Sequence, residues 1–258
     1  MKVKDIIKAI EEFAPLSIQE KWDNSGLCIG SESDEVSSVL IGLDCTPELV
    51  DEAVACGADM IVTHHPLIFS GIKSISADNR TGEAVIKAVR AGIAVYSAHT
   101  SADKVIAGVS GAMAARLGLR NVEILDPDGD GTGLGVVGEL PVPMPAEDIA
   151  ALVKDRFSLK VLKSSRPVSG EVKRVAMCGG SGSSLIGKAM ESGAQLYISG
   201  DISYHHFFTE EGFMNLDIGH YESEIDIVEI LFSILRKNFP TFAVRITENI
   251  YSNPIFYF

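Results

Sequence analysis

Apolar and polar positions along this chain alternate in two distinct rhythms. Near the start, Val3, Ile6, Ile7, Ile10 and Phe13 recur at the spacing of one helix face, which predicts an amphipathic N-terminal helix. Further along, short apolar runs bounded by turn residues predict buried strands. These runs are 39–41, 60–62, 94–97, 175–177, 196–198 and 214–218. Strands separated by helical stretches are typical of mostly parallel sheets that are covered by helices on both faces.

The chain also contains an internal repeat. Segment 39–65 aligns without a gap with segment 175–201, so that Leu49 meets Leu185 and Ala53 meets Ala189. Each copy has an apolar run, a turn, a helical stretch, a glycine and a second apolar run, which is the pattern of a βαβ unit. We therefore expect two similar α/β lobes, with a ligand-binding cleft between them at the carboxyl ends of the strands.

The acidic, turn-rich segment 126–131 is the expected join between the lobes. The first lobe would comprise residues 1–127 and the second residues 128–258. We expect the C-terminal tail to pack back on the first lobe or on a neighbouring subunit.

All six histidines fall into four short clusters, and each cluster follows a predicted strand. Two clusters share one pattern, a histidine followed four residues later by a carboxylate: His99 with Asp103, and His220 with Glu224. Imidazole and carboxylate together are suitable ligands for Zn, Fe, Mn or Co. His64, His65, Asp103, His220 and Glu224 are too many ligands for one tetrahedral site. They suit two ions that share carboxylates, and a water held between two cations becomes a nucleophile near neutral pH.

The roles of several other residues can be interpreted in more than one way. His99 could bind metal, orient Asp103 or contact substrate, and a single histidine can also simply hydrogen-bond the backbone. His205 and His206 cannot both face one site. We favour His205 as the inward-facing one and a general acid/base, and His206 as a surface or packing residue. Asn24 lies on a turn that could reach the cleft. Asp201 lies just past a predicted strand end at the same cleft. The glycine-rich segment 179–184 fits a tight helix-capping turn better than an anion-binding loop.

Composition narrows the class of partner and the cellular compartment. Lys+Arg 22 against Asp+Glu 35 gives a net charge of -13, which argues against nucleic acid and anionic membrane surfaces as partners. The 4 cysteines form no C-x-x-C pair, which favours free thiols in the cytoplasm. The start of the chain does not look like a signal peptide, and no apolar stretch is long enough to span a bilayer.

Five separated motifs resemble the Nif-three-like dinuclear metal-centre family, YbgI-like proteins that are often labelled GTP cyclohydrolase 1 type 2. The motifs are Trp22-Asp23-Asn24-Ser25-Gly26-Leu27, Thr63-His64-His65-Pro66-Leu67, Ala98-His99-Thr100 with Asp103, Gly200-Asp201 with Tyr204-His205, and Gly219-His220 with Glu224. The resemblance implies two α/β lobes, two divalent ions between them, and a toroidal homohexamer. It also implies that His64, His65, Asp103, His220 and Glu224 are the ligands, with the two carboxylates as bridges.

Three functions follow as hypotheses. The first is a two-metal hydrolase of the GTP cyclohydrolase 1 type 2 kind, which acts on a nucleotide or related heterocycle with His205 as the proton carrier. There, metal-bound hydroxide would attack the carbon between the two imidazole nitrogens of guanine. The second is a non-catalytic metal-binding scaffold, chaperone or regulatory interaction protein. The third is a nucleotide binder without metals. The ligand set suits Zn, Fe, Mn, Co or Ni alike.

Overall fold

The computed structural model describes residues 1–248 and 253–257, which form two compact units. The first unit comprises residues 1–102 together with the described part of 227–254. The second comprises residues 103–226 and the described residues from 255 onward. The expected lobe boundary at residues 127 and 128 falls inside the second unit, in the loop between two paired strands.

The first unit is built around a five-stranded sheet in the order β1-β4-β3-β2-β11. Its strands are β1 (Gly26–Ile29), β2 (Ser38–Gly42), β3 (Met60–Thr63), β4 (Ala94–Ser97) and β11 (Ala243–Ile246). Its helices are α1 (Val3–Glu11), α2 (Pro47–Cys56), α3 (Arg80–Ala91), the start of α4 (Thr100–Asp103), and α9 (Asp226–Asn238) from Ile227 onward. A short 3₁₀ turn covers Leu16–Ile18. β2, β3, β4 and β11 run parallel, and only β1 pairs antiparallel, with β4.

Local sequence explains why the helices of this unit begin and end where they do. The Thr46 side chain accepts a hydrogen bond from Leu49 N, Pro47 opens α2, and Gly57 closes it in the left-handed conformation. Pro lacks the N–H that a first helical turn leaves unused, and glycine adopts positive φ without steric cost. These signals place α2 between β2 and β3, which is the predicted βαβ unit.

Residues of β2, β3 and β4 are buried over their whole length. Helices α2 and α3 cover one face of the sheet with Leu49, Val50, Ala53, Ala84 and Ala88. Each buried leucine or valine contributes about 1.5–3 kcal/mol by leaving water. The rigid core therefore fixes the strand ends from which the candidate ligands project.

The second unit contains a six-stranded sheet in the order β5-β6-β8-β9-β10-β7. Its strands are β5 (Arg120–Pro127), β6 (Gly133–Pro145), β7 (Lys163–Ser164), β8 (Glu171–Ser181), β9 (Leu196–Gly200) and β10 (Met214–Asp217). Its helices are α5 (Val109–Leu117), α6 (Ala146–Arg156), α7 (Ile186–Glu191) and α8 (His220–Glu224), with 3₁₀ turns at Ser183–Leu185 and Tyr204–Phe207. β8, β9 and β10 are parallel, whereas β5, β6 and β7 join by antiparallel pairing.

The internal repeat is confirmed as a repeated βαβ unit. β2, α2 and β3 in the first unit correspond to β8, α7 and β9 in the second, and both strand pairs are parallel. The α/β fold class is therefore confirmed, with one addition. The turn-rich segment 126–131 joins the antiparallel strands β5 and β6, which make the second sheet mixed where mostly parallel pairing was expected.

Among the residues that the structure describes, no helix combines the length and the apolar character that crossing a membrane requires.

Candidate metal centre

Three histidines of the first unit gather beyond the carboxyl ends of β3 and β4. His64 and His65 follow β3, and His99 follows β4. Their ring centroids are 4.9 Å apart for His64 and His65, 5.2 Å for His64 and His99, and 5.5 Å for His65 and His99. One ligand atom from each ring lies within 4.8 Å of the others, so this group could hold a metal ion.

Adjacent histidines in a regular strand would point to opposite faces, but the chain leaves the strand at this point. The Thr63 hydroxyl donates to the His65 carbonyl oxygen at 2.8 Å, and His65 N donates to the Leu43 carbonyl oxygen at 3.0 Å. These bonds turn the backbone directly after β3. The irregular strand end thus brings both rings to one place, as the sequence predicts.

Each of the three rings is fixed through its Nδ1 atom. The Nδ1 partner at 2.8 Å is the Ala98 carbonyl oxygen for His64, Asp44 Oδ1 for His65 and Asp23 Oδ1 for His99. A carbonyl oxygen only accepts, so His64 Nδ1 must donate, and in the neutral ring Nε2 then carries the lone pair. Metal-binding histidines usually show this arrangement, in which the second nitrogen donates to a carboxylate or carbonyl.

Asp23 holds one ring of the histidine group, a role that the sequence analysis did not assign to it. Its side chain is fully buried and accepts hydrogen bonds from His99, from the Thr100 backbone N–H and hydroxyl, from the Ser25 hydroxyl and from Asn24 N. Burial alone would raise the pKa of Asp23, but the hydrogen bonds from His99, Thr100 and Ser25 outweigh it and hold the pKa well below its usual value. Asp23 is therefore a permanent anion that orients His99.

The Trp22–Gly26 segment predicted only a turn, because nothing in the sequence shows that Asp23 reaches a residue 76 positions away. Asn24 is exposed, and its side-chain amide donates to the Ile68 carbonyl oxygen, which ties this turn to the loop after β3. Asp44 was missed for the same reason, since its contact to His65 spans 21 positions. An aspartate directly after a strand is the signal that could have identified it.

The second unit supplies a histidine–carboxylate group at the start of α8. His220 Nδ1 lies 2.8 Å from Asp201 Oδ2, and His220 Nε2 lies 3.0 Å from Glu224 Oε2, one helical turn later. Asp201 has a φ of 49°, a conformation that is uncommon for a residue other than glycine. Such local strain is typical of functional positions, and here it aims the Asp201 carboxylate at the imidazole.

Asp103 ends α4, and its charge acts on the same buried thiol as that of Glu224. Burial, reinforced by the negative charges of Asp103 and Glu224, raises the pKa of Cys178 to about 12. Cys178, a buried residue of β8, therefore stays a neutral thiol, and the two carboxylates lie in its neighbourhood.

The glycine-rich end of β8 makes room for Glu224. Gly180 has a φ of 60°, and a side chain there would occupy the space of the Glu224 carboxylate. Gly180 N donates to the Ser223 hydroxyl at 2.9 Å, and Gly182 N donates to the Ser199 hydroxyl at 3.0 Å. Segment 179–184 thus forms the end of β8 and the start of a 3₁₀ turn, and the expectation that a serine side chain caps the following helix is wrong.

His205 and His206 lie on the 3₁₀ turn Tyr204–Phe207, and both are exposed. The His205 ring packs against the edge of Tyr204 at 5.4 Å, whereas His206 Nδ1 is 3.1 Å from the Ser203 hydroxyl. The helix expected here is only this single turn. His206 is a surface residue, and His205 projects a solvent-accessible imidazole from the second unit where an inward-facing one was expected.

The fold and these side chains define a class: a two-unit α/β protein in which histidines and carboxylates that could hold a metal ion follow the strand ends. The family model described as Duf34/NIF3 (NGG1p interacting factor 3) matches residues 1–254. The chain belongs to this family, and the resemblance predicted from its motifs is confirmed.

Relatives agree with this assignment along nearly the whole chain. A "GTP cyclohydrolase 1 type 2 homolog" of Clostridium perfringens is 37% identical over 228 residues, which is 87% of each protein. The crystal structure of a Staphylococcus aureus hypothetical protein superposes with a TM-score of 0.91 at 29% identity, covering 100% of this chain and 99% of that one. The structure of protein ybgI, described as of unknown function, has a TM-score of 0.85 at 25% identity, with 96% and 98% covered.

Proposed function

We propose that the chain binds two divalent metal ions through His64, His65, Asp103, His220 and Glu224. The observation that carries the proposal is the fixing of every proposed imidazole ligand through Nδ1 at 2.8 Å from an oxygen. Metal-binding histidines usually have such an orienting partner on the second ring nitrogen, and losing it typically weakens metal affinity about 10–100-fold.

Three imidazoles and two carboxylates exceed the four ligands of a tetrahedral ion. They suit a pair of ions, and we propose Asp103 and Glu224 as the bridging carboxylates, because one carboxylate can span ions about 3.5–4 Å apart. The mixed nitrogen and oxygen set suits Zn, Fe, Mn, Co or Ni, among which cellular availability would decide.

We propose further that the protein is a metal-dependent hydrolase of the GTP cyclohydrolase 1 type 2 kind, acting on a nucleotide or related heterocycle. Bound divalent ions would supply Lewis acidity and lower the pKa of water at the site. His205 would carry the proton, since an imidazole nitrogen can both accept and donate a proton and histidine is the most frequent general acid/base in enzymes. His99, Asn24 and Asp201 would shape the site, with Asp201 holding His220 and Asn24 holding the loop beyond His65. The name of the Clostridium relative supports this reaction class.

A second candidate is a non-catalytic metal-binding scaffold, chaperone or regulatory interaction protein. The family description, which names an NGG1p interacting factor, favours this alternative. It requires the same ligands but no proton carrier, so His205 would be dispensable.

Two measurements test these proposals. Anomalous scattering from crystals of protein purified without added metal should reveal two ions within bonding distance of the five ligands; a single ion, or ions bound elsewhere, would contradict the metal proposal. Formate release from GTP should fall about 100-fold or more in His205→Ala, because general acid/base groups contribute about 10²–10⁴-fold. His206→Ala is the matched control. Equal formate release by both variants and the wild type would contradict the role of His205, and no release by the metal-loaded wild type would favour the scaffold.

We also propose a cytoplasmic toroidal homohexamer, on the strength of the family resemblance. All four cysteines are free thiols, which supports a reducing compartment. Light scattering of the purified protein would measure the assembly mass directly.

A further inference from the structure

Two large aromatic side chains of the first unit stand exposed beside the histidine group. Trp22 is 60% exposed and Phe69 is 50% exposed. Their ring centroids are 5.9 Å apart at an interplanar angle of 61°, and each ring lies about as far from His99, at 6.1 Å for Trp22 and 6.0 Å for Phe69. We call Trp22, Phe69 and His99 the aromatic corner. Isolated exposed aromatics are ordinary, but a pair beside candidate metal ligands is not.

The backbone beneath this corner is held by hydrogen bonds. Trp22 precedes Asp23, whose buried carboxylate orients His99, and Phe69 follows Ile68, whose carbonyl oxygen accepts from the Asn24 amide. The two loops that carry the exposed rings are thus fixed to each other. A pre-organised surface loses little conformational entropy when a ligand binds, so rigidity of this kind favours recognition.

We propose that the aromatic corner binds the planar heteroaromatic ring of the substrate. This inference rests on the proposed hydrolase function, in which the substrate is a nucleotide or related heterocycle. Because the Trp22 and Phe69 planes are steeply inclined, a flat ligand can stack on one ring and meet the other edge-to-face. His99 is 5.2 Å from His64, so a ring bound here has its edge beside the imidazoles proposed to hold the ions. This placement gives His99 a substrate contact, one of the roles that the sequence left open.

Size and charge favour a small heterocycle over a macromolecule. The corner offers parts of two side chains, and an aromatic residue buries only about 150–250 Å², whereas a stable protein interface buries about 800 Å² per partner. A net charge of -13 opposes binding through phosphates at long range. Stacking does not depend on net charge, so it can recognise a nucleobase-like ring on an acidic protein.

The chain contains only one tryptophan, so its fluorescence reports directly on the corner. Guanosine, which has the ring but no phosphate, should quench Trp22 emission saturably in the metal-loaded full-length protein. Ribose 5-phosphate, which has the phosphate but no heterocycle, should not. Phe69→Leu should weaken guanosine binding about 10-fold, as expected for losing one stacking partner. Phe208→Leu, the same change at an exposed ring of the second unit, should leave the affinity unchanged.

Equal quenching by ribose 5-phosphate, an absence of saturable quenching by guanosine, or equal affinities of the two leucine variants would overturn the proposal. The outcome is separable from that of the hydrolase proposal. Saturable guanosine quenching without formate release from GTP would support the corner and refute the reaction. Formate release with an unchanged KM in folded Trp22→Leu would refute the corner and leave the reaction standing.

Discussion

Replacing Asp23 by asparagine tests whether one buried carboxylate organises the turn beside the histidine group. Oδ1 of Asp23 accepts from His99 Nδ1 and Asn24 N, and Oδ2 accepts from the Thr100 N–H, the Thr100 hydroxyl and the Ser25 hydroxyl. An asparagine amide keeps only one oxygen. Hydroxyls can rotate and His99 can change tautomer, but a backbone N–H can only donate. Whichever oxygen is replaced, either Asn24 N or Thr100 N loses its acceptor.

The magnitude follows from these losses. A hydrogen bond to a charged group contributes about 1.5–3 kcal/mol, and a donor left without an acceptor costs about 1–3 kcal/mol. Because part of the network can rearrange, we expect Asp23→Asn to lower the free energy of unfolding by about 2–3 kcal/mol. For a chain of this size, each kcal/mol corresponds to about 2–4 °C in Tm, so the melting temperature should fall by about 4–12 °C.

Urea unfolding followed by circular dichroism measures the change, with equal m-values confirming that only stability has altered. Asp78→Asn is the matched control, because Asp78 is exposed and bonded through Ser76; it should change stability by no more than about 0.5 kcal/mol. If Asp23→Asn has the same free energy of unfolding as Asp78→Asn, the hydrogen bonds to Asp23 contribute nothing to stability and the reasoning is refuted.

Three further predictions concern the second unit, the surface and the metal. Gly180→Ala should lower metal content, since its methyl group would displace the Glu224 carboxylate, whereas Gly187→Ala, with nothing within 4 Å, should retain it by mass spectrometry. The hydrogen bond from Arg80 lowers the pKa of Glu48 from 4.5 to about 2. The ion pair therefore stabilises the fold fully above pH 4.5, and this contribution is lost as the pH falls from 4.5 toward about 2. Because the pair is exposed, Glu48→Gln should cost less than about 1 kcal/mol at neutral pH, and a cost that does not shrink below pH 4.5 in urea titrations would contradict this. Removing metal with a chelator should lower Tm, and adding divalent ions should restore it. At a metal concentration about 100-fold above Kd, bound metal should add about 2.7 kcal/mol to the free energy of unfolding. An unchanged Tm would argue against bound metal.

The repeated βαβ units could be predicted from the sequence because their signals are local. The apolar runs that became β3 and β9 lie within a few residues of the glycines and turns that end the preceding helices. Burial of each strand on both faces requires an uninterrupted apolar run, and such runs are visible without any structure.

The remaining architecture could not be predicted in the same way. β11 pairs with β2 although about two hundred positions separate them, and its short apolar run is compatible with many partners. The acidic turn before β6 looked like a linker because the pairing of β5 with β6 depends on register along both strands, which composition does not encode.

By itself, the sequence determined the candidate ligands: histidines and carboxylates placed just beyond strand ends, because side-chain type and strand periodicity are local properties. Only the tertiary structure decided how those side chains are held. Asp23, Asp44 and the Ala98 carbonyl oxygen fix the imidazoles from 76, 21 and 34 positions away. Hydrogen-bond partners at such separations are chosen by folding of the chain, since the donor and acceptor must meet within about 3 Å.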